Sequence, residues 1–429
     1  MHSLRLKFSQ TLVNYRKLPG SIYVLFFAIM INRMGNFVIP FLAMFLTKNL
    51  HYAPDKAGFF IMLVSLAGVP GILLGGSLVD RVGRKNVLAL SQFLSACCFV
   101  PCALSPNAAF VPWLMVFSVF FSETAQVAHN AMVADLTCRE NRKDAFALIY
   151  LGINIGFSIG PVLAGFLFNH YIQIFFLIDS LTTMISVALI LWFTQETIPC
   201  GKTFETPVDE PTGGEQAESG NLWAILWRRP FFLAFLIIYF FYTFVYNQDT
   251  FGLPLYLNQL FSGSSSKIYG LLMTTNALFV VCASTLLTVL TRKWSATTNI
   301  ALAGILYAVG FGMIFFIHSF AMFVLSTVIW TAGEIMSSVN TDVYLTGHSP
   351  VSHRGRFNSI RLFIRRAGMA VAPMVMGIFI KHCGLRNVWP IISILALVAT
   401  AGVYAIHRVE RRLGSTSPTT KRSSQSFPH

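Results

Sequence analysis

Three ionisable side chains stand near the middles of long apolar runs: Arg33, Glu123 and Glu334. At mid-bilayer such a group costs roughly 2.5–3.5 kcal/mol on insertion scales, so each needs a partner, a wet cavity or a task. A carboxylate in that setting can exchange a proton as its surroundings change. Polar residues recur around these three at helical spacing. Asn32 and Asn36 flank Arg33, while Ser118, Ser122 and Gln126 flank Glu123. Thr327, Trp330, Thr331 and Ser338 surround Glu334, and a fourth run carries Tyr242, Tyr246, Asn247, Asp249 and Thr250. The expectation is that Glu123 and Glu334 face one cavity and that at least one exchanges a proton. The competing reading is a static Arg33–Glu123 pair that braces two helices. Arg365 and Arg366 lie deeper in their run than Arg361, and with Arg33 they would suit a substrate bearing carboxylate. Asp179 and Asp249 fall toward the outer end of their runs, each as readily a rim or packing residue as a site residue, and Asp249 joins the cavity candidates.

The elements that position these residues follow from composition. The chain has 429 residues, 55% hydrophobic and 11% charged, against ~25% charged in a soluble domain. Twelve continuous apolar segments cover about 21–47, 55–79, 87–105, 108–135, 145–168, 172–194, 230–257, 266–291, 297–316, 319–345, 355–380 and 386–408. Each is long enough for a membrane helix, which needs ~20 apolar residues. This excludes an ordinary soluble enzyme and a disordered chain. Continuous rather than alternating apolar runs disfavour a membrane barrel. The net charge of +14 could suggest nucleic acid, but with both termini in the cytoplasm 25 of the 31 Lys and Arg fall on the cytoplasmic side. That is the positive-inside pattern, so no nucleic-acid partner is expected. The seven cysteines form no CxxC pair and read as small buried hydrophobes. No P-loop, nucleophile elbow, zinc motif or dinucleotide fingerprint is present, so no enzyme activity, metal or cofactor is expected.

The expected organisation is a tail (1–20), a six-helix bundle (21–194), a polar acidic linker (195–229), a second six-helix bundle (230–408) and a polar tail (409–429). The bundles read as repeats. Phe37–Pro40 matches Phe251–Pro254 at an offset of 214, and Gly160–Pro161 matches Ala372–Pro373 at 212. At 212, Arg142 maps to Arg354, Gly156 to Gly368, Asn130 to Asp342, and Glu123 to Ile335 beside Glu334. Parallel six-helix repeats place a substrate site near the midplane between them.

Between the second and third runs lies Gly76-Ser-Leu-Val-Asp80-Arg81-Val-Gly83-Arg84-Lys85. This resembles the signature loop of the major facilitator superfamily, Gly-x-x-x-Asp-Arg-x-Gly-Arg-Lys. Gly76 suits close packing and Gly83 a tight turn. Asp80 could meet a helix N-terminus across the interface, and Arg84 could pair with Asp135. The resemblance implies a latch between the halves on the cytoplasmic side in the outward-open state. The second-half copy, Thr291–Ser295, lacks the acid and the glycine, so the latch would be one-sided. Helix 5 carries Gly152, Gly156, Gly160, Pro161 and Gly165, a small-residue face with a bend point. It is similar to the helix-5 motif of the drug–proton antiporter branch, with Ala164 in place of one glycine. The helix-4 arginine of many proton antiporters is replaced by Ser122-Glu123.

The family resemblance implies an all-α membrane protein of twelve helices, with helices 1, 4, 7 and 10 lining the cavity. It implies a monomer in a bacterial cytoplasmic (inner) membrane. The expected activity is proton-coupled efflux of small organic molecules, driven by the proton gradient. The alternatives are a dedicated carrier of one metabolite, such as a carboxylate siderophore, and a non-transporting membrane receptor.

Overall fold

The computed structural model describes residues 18–138, 141–197, 229–348 and 354–415. Most of the expected linker, the first seventeen residues and the end of the carboxyl-terminal tail lie outside these. The described residues are helical throughout. A backbone in hydrocarbon must satisfy its own hydrogen bonds, and a helix does so within one segment. The first half comprises α1 (Gly20–Gly35, resuming as Leu42–Met44 and a wider π turn Phe45–Asn49), α2 (Pro54–Val82), α3 (Arg84–Leu104), α4 (Val111–Asp135), α5 (Arg142–Leu167) and α6 (Ile172–Phe193). The second comprises α7 (Pro230–Tyr246, the 3-10 turn Asn247–Asp249, then Gly252–Leu260), α8 (Ser265–Thr291), α9 (Ala296–Gly312, then Met313–Phe315), α10 (Phe320–Gly347), α11 (Arg354–Cys383) and α12 (Val388–Ser415). Eleven are long and apolar enough to span a membrane, and Gly20–Gly35 is a shorter apolar helix. Large apolar side chains point outward, Leu104 at 74% and Trp192 at 79% exposure among them. That suits a lipid surround rather than water.

The observed helices carry the repeat. At an offset of 212, Arg84 at the start of α3 falls on Ala296, the start of α9, and Arg142 on Arg354, the start of α11. Gly156 packs on the α1 backbone at Met30 and Arg33, and Gly368 packs on α7 at Phe240 and Thr243. Both first helices are interrupted, α1 over 36–41 and α7 over 247–251. The sequence reading treats each as one run. Pro40 and Pro254 supply the reason, since a proline donates no hydrogen bond and clashes with the preceding turn.

The halves meet at one end and part at the other. At the end remote from the 76–85 loop, the Gly58 Cα faces the Pro373 carbonyl and Gly270 faces that of Pro161, so a Cβ at either would fall 2.1 Å from the oxygen. Tyr269 donates to Pro40 O (3.1 Å) and Ser266 to Gly165 O (3.1 Å). Lys381 pairs with Asp55 at 2.6 Å, and Lys48 donates to Asn169 Oδ1 (2.8 Å) and Ser262 O (3.3 Å). One apolar core runs through both halves here, with Phe41 and Tyr269 rings 5.0 Å apart. At the loop end the amino-terminal half keeps its own core, from Leu18 to Ile190.

Replacing Gly58 by Leu is expected to pry this closed end apart. Ser266, fully buried between the halves, supplies the reporter. Labelling of Ser266→Cys by an impermeant maleimide is expected to rise about tenfold in the Gly58→Leu background, measured as the increment over the native cysteines.

Candidate functional site

The central charges belong to both halves. Glu123 on α4 pairs with Arg366 on α11, Oε1 to Nη2, at 2.6 Å. Gly68 of α2 leaves room for this pair, since a Cβ there would lie 3.1 Å from Glu123 Cγ and 3.6 Å from Arg366 Nη1. Arg33 sits in the last turn of α1 before its interruption, and its Nη2 donates to Gln126 Oε1 at 2.7 Å. Gln126 in turn donates to Asn130 (3.1 Å). The competing reading, a static Arg33–Glu123 brace, is therefore not the contact formed. A guanidinium from the opposite half takes the carboxylate.

On the other side Glu334 of α10 accepts from Asn276 of α8 at 2.9 Å, and Asn276 also donates to Thr331 at 3.0 Å. The Tyr246 hydroxyl is directed at Glu334, and the exposed Arg365 is electrostatically close to it. Glu334 opens onto a cleft of about 740 Å³ between α5, α8 and α10, lined by Tyr150, Ser284, Thr288, Ser338 and Asp342. Asp342 is paired with Arg361. The cleft lies toward the 76–85 loop, where α5 and α8 separate. At the remote end the same two helices touch, and Thr274 donates to Ser158 O at 2.8 Å.

Sequence-predicted residues thus divide. Glu123, Gln126, Arg33 and Arg366 form one cluster, and Glu334, Tyr246 and Arg365 another. Trp330 is fully buried and stacked on Phe311 (5.5 Å between centroids), so it is core of the second half. Asn247 and Asp249 are buried in the α7 interruption, and Asn36 lines a small pocket inside the first half. Asp179 lines the same space and is 3% exposed, not a rim residue. Asn276 and Asp55 gave no signal in the sequence, because a polar residue near a helix end or amid small neighbours reads as ordinary packing.

The 76–85 loop is held within its own half. Arg84 Nε donates to Asp135 Oδ2 at 2.8 Å, Arg84 Nη1 to Val79 O at 3.0 Å, and Arg84 lies 3.4 Å from Asp80. The Asp80 side chain is 76% exposed, and among the described residues its ion pair is with Arg84 of its own half. Gly76, expected to pack closely, has open space around it. Both follow from the parted halves at this end. Arg81 is exposed. Gly83 adopts φ 105°, a conformation that L side chains rarely adopt. Over it lies Glu196, just beyond α6, whose carboxylate accepts from the backbone N–H groups of Lys85 (3.1 Å) and Asn86 (3.3 Å) at the start of α3. Partial burial pushes this carboxyl up. The N–H donors of Lys85, Thr197, Asn86 and Arg84 outweigh it and hold the group below the usual glutamate range. Lys85 also donates to Leu191 O at 2.9 Å. In α5, Gly152, Gly156 and Gly160 lie against the α1 backbone, while Gly165 lies against Ser266 of the other half beyond Pro161.

Twelve apolar helices in two repeated sixes, closed at one end over a charged central cleft, define a polytopic carrier fold. The model of the Major Facilitator Superfamily matches residues 25–341 and 261–428. The chain belongs to that superfamily and is a secondary-active membrane transporter. It is 24% identical over 415 residues to the MFS-type transporter YttB of Bacillus subtilis, covering 95% of this chain and 99% of the relative. It is 23% identical to a Na(+), Li(+), K(+)/H(+) antiporter of Planococcus maritimus, covering 79% and 84%. A 117-residue stretch is 29% identical to the enterobactin exporter EntS of Citrobacter koseri, 26% of this chain and 28% of that one. Among solved structures, a peptide transporter POT in complex with sulfate superposes with TM-score 0.75 at 15% identity, covering 92% and 96%. A bacterial homologue of the human lysosomal transporter Spinster, in an inward-facing and occupied conformation, gives 0.68 at 15%, covering 90% and 96%. At these identities the structures show the fold.

Glu196→Ala removes the anion at the α3 N-terminus and is expected to cost about 0.3–1 kcal/mol. Because the folded carboxyl titrates below its unfolded value, its stabilisation is complete above the unfolded glutamate pKa of ~4.3 and is lost as pH falls through the lower folded value. The thermal midpoint of the parent is expected to exceed that of the variant at pH 7, and the difference to shrink at acid pH.

Proposed function

We propose that this chain is a proton-coupled exporter of small organic molecules, working by alternating access as a monomer. Its membrane is the bacterial cytoplasmic membrane, with both termini in the cytoplasm. The observation that carries the reading is the Glu123–Arg366 ion pair, which joins the halves beside the cleft at 2.6 Å. The pair is half-buried, so losing one charge leaves the other only partly compensated by solvent. Protonation of Glu123 releases Arg366, and the halves lose a central tie. The positive-inside distribution of Lys and Arg puts the 76–85 loop in the cytoplasm, so the cleft at Glu334 opens inward. Glu334, on the other half, supplies a second carboxylate at similar depth. The antiporter relative, whose name includes a proton as exchanged ion, supports protons as the coupling ion.

In this cycle, substrate enters from the cytoplasm while the Lys381–Asp55 end is shut. A proton reaching Glu123 from the outer side once that end has opened keeps Arg366 released, and its release inward restores the bridge. Three arginines near the cleft are largely spoken for: Arg366 by Glu123 and Arg361 by Asp342, with Arg365 near Glu334. This near balance of charge favours neutral or zwitterionic small molecules over strong anions.

The test uses everted vesicles holding a pH gradient reported by a fluorescent amine, challenged with a panel of small organic compounds. Compounds that dissipate the gradient with the parent are expected to do so about tenfold less with Glu123→Gln or Glu334→Gln. Undiminished gradient-coupled movement in both variants contradicts the proposal.

A further inference from the structure

Inside the amino-terminal half, between α1, α3, α4 and α6, lies a small pocket of about 40 Å³ lined mostly by polar residues. A water needs about 10–15 Å³ and two to four polar partners, so about two or three waters fit. The polar groups that would hold them are present and short of partners. Arg33 Nε and both ring nitrogens of His129 are buried without a well-formed hydrogen bond. His129 is 3% exposed. Buried polar groups are as a rule satisfied by protein or ordered water.

Asp179 of α6 sits in this space, and its carboxylate accepts from the backbone N–H of Val38. That amide is free to donate because α1 is interrupted over 36–41. Ser95 and Ser118 line the wall, their hydroxyls 2.9 Å apart. The second half has no such arrangement at the matching positions. At the repeat offset of 212, Ser95 corresponds to Tyr307 and Ser118 to Trp330. Both are buried, and Trp330 stacks on Phe311. The repeat position filled with aromatic rings in one half borders a small polar pocket in the other.

Arg33 and Gln126 line the space and reach the central cluster, where Glu123 pairs with Arg366. The charged and titratable groups sharing the pocket with Asp179 are Arg33 from α1 and His129 from α4, and Glu123 lies outside the lining, coupled to it through Arg33. The pocket lining contributed by α3, Gln92, Ser95 and Phe99, is uncharged. We propose that Asp179 is a second proton-carrying residue of the transport cycle, exchanging its proton with Glu123 through water held in this pocket. The inference rests on the proton-coupled reading above. While Glu123 is ionised on Arg366, Arg33 has Asp179 as its remaining carboxylate. Once the incoming proton on Glu123 has released Arg366, it passes to Asp179, leaving Glu123 ionised as the counter-ion of Arg33. One O–H bond breaks and one forms, and the net charge of the half is unchanged.

The test is pH-difference infrared spectroscopy of the full-length protein in lipid, reading the C=O band of protonated carboxyls. A band absent in Asp179→Asn and present in Glu123→Gln is expected. Its deuterium shift is expected to slow about tenfold in Ser118→Leu, which plugs the space, and in the milder Ser95→Val. An Asp179→Asn spectrum identical to the parent overturns the inference, as does an exchange rate unchanged by both plugs. If only Glu123→Gln removes a band, this inference fails and the coupling proposal stands. If neither variant removes one, both fail.

Discussion

A charge cannot be left alone in hydrocarbon, and in this protein that constraint is met by a contact between two halves that must also separate. Glu123 and Arg366 meet at 2.6 Å from opposite bundles. Within one bundle such a pair would be a brace, as in the competing Arg33–Glu123 reading. Across the bundles it is conditional on their relative position. Removing one partner's charge leaves the other, half-buried, without its counter-ion. The pair is therefore the point where protonation and geometry can be traded.

The remainder of the structure is arranged around that condition. At the closed end the contacts are backbone against backbone, with Gly58 on Pro373 and Gly270 on Pro161, too close to admit a methyl group. The ion-containing links found there among the described residues are three, Lys381–Asp55, Lys48 to Asn169 and Ser262, and Lys267 over the Phe166 ring. Such surface links are individually weak, so fit rather than charge holds this end. At the other end the 76–85 loop is tied back onto its own bundle, by Arg84 to Asp135 and by Glu196 to the start of α3. Asp80 is exposed there, and its ion pair among the described residues is with Arg84 of its own bundle. Conserving the loop's internal ties while the halves are parted keeps it in shape for the opposite state.

Much of this was legible in the sequence. Twelve apolar runs, the repeat offset and the Asp80–Lys85 loop led to the fold and the superfamily. The interruptions of α1 and α7 were not read, although Pro40 and Pro254 at matching positions were a visible signal. Partner choice was less accessible. Whether Glu123 meets Arg33 or Arg366 depends on how two bundles sit against each other, which no local spacing encodes. Trp330 and Ser118 occupy equivalent repeat positions, yet one fills core and the other lines a polar space. A periodicity argument assigns both to the cavity, because it reads the face of a helix and not what the neighbouring helix brings to it. Asp179 was misplaced for the same reason: depth along a run says nothing about a water-sized space behind it.

The central claim is that protonation of Glu123 releases Arg366 and lets the outer end open. Spin labels at positions 51 and 382, on either side of that end, measure it directly. At neutral pH the parent is expected to give mainly the short distance, acid pH to shift the distribution toward longer ones, and Glu123→Gln to show the long distances at neutral pH already. Distances that ignore both pH and the substitution would contradict the account.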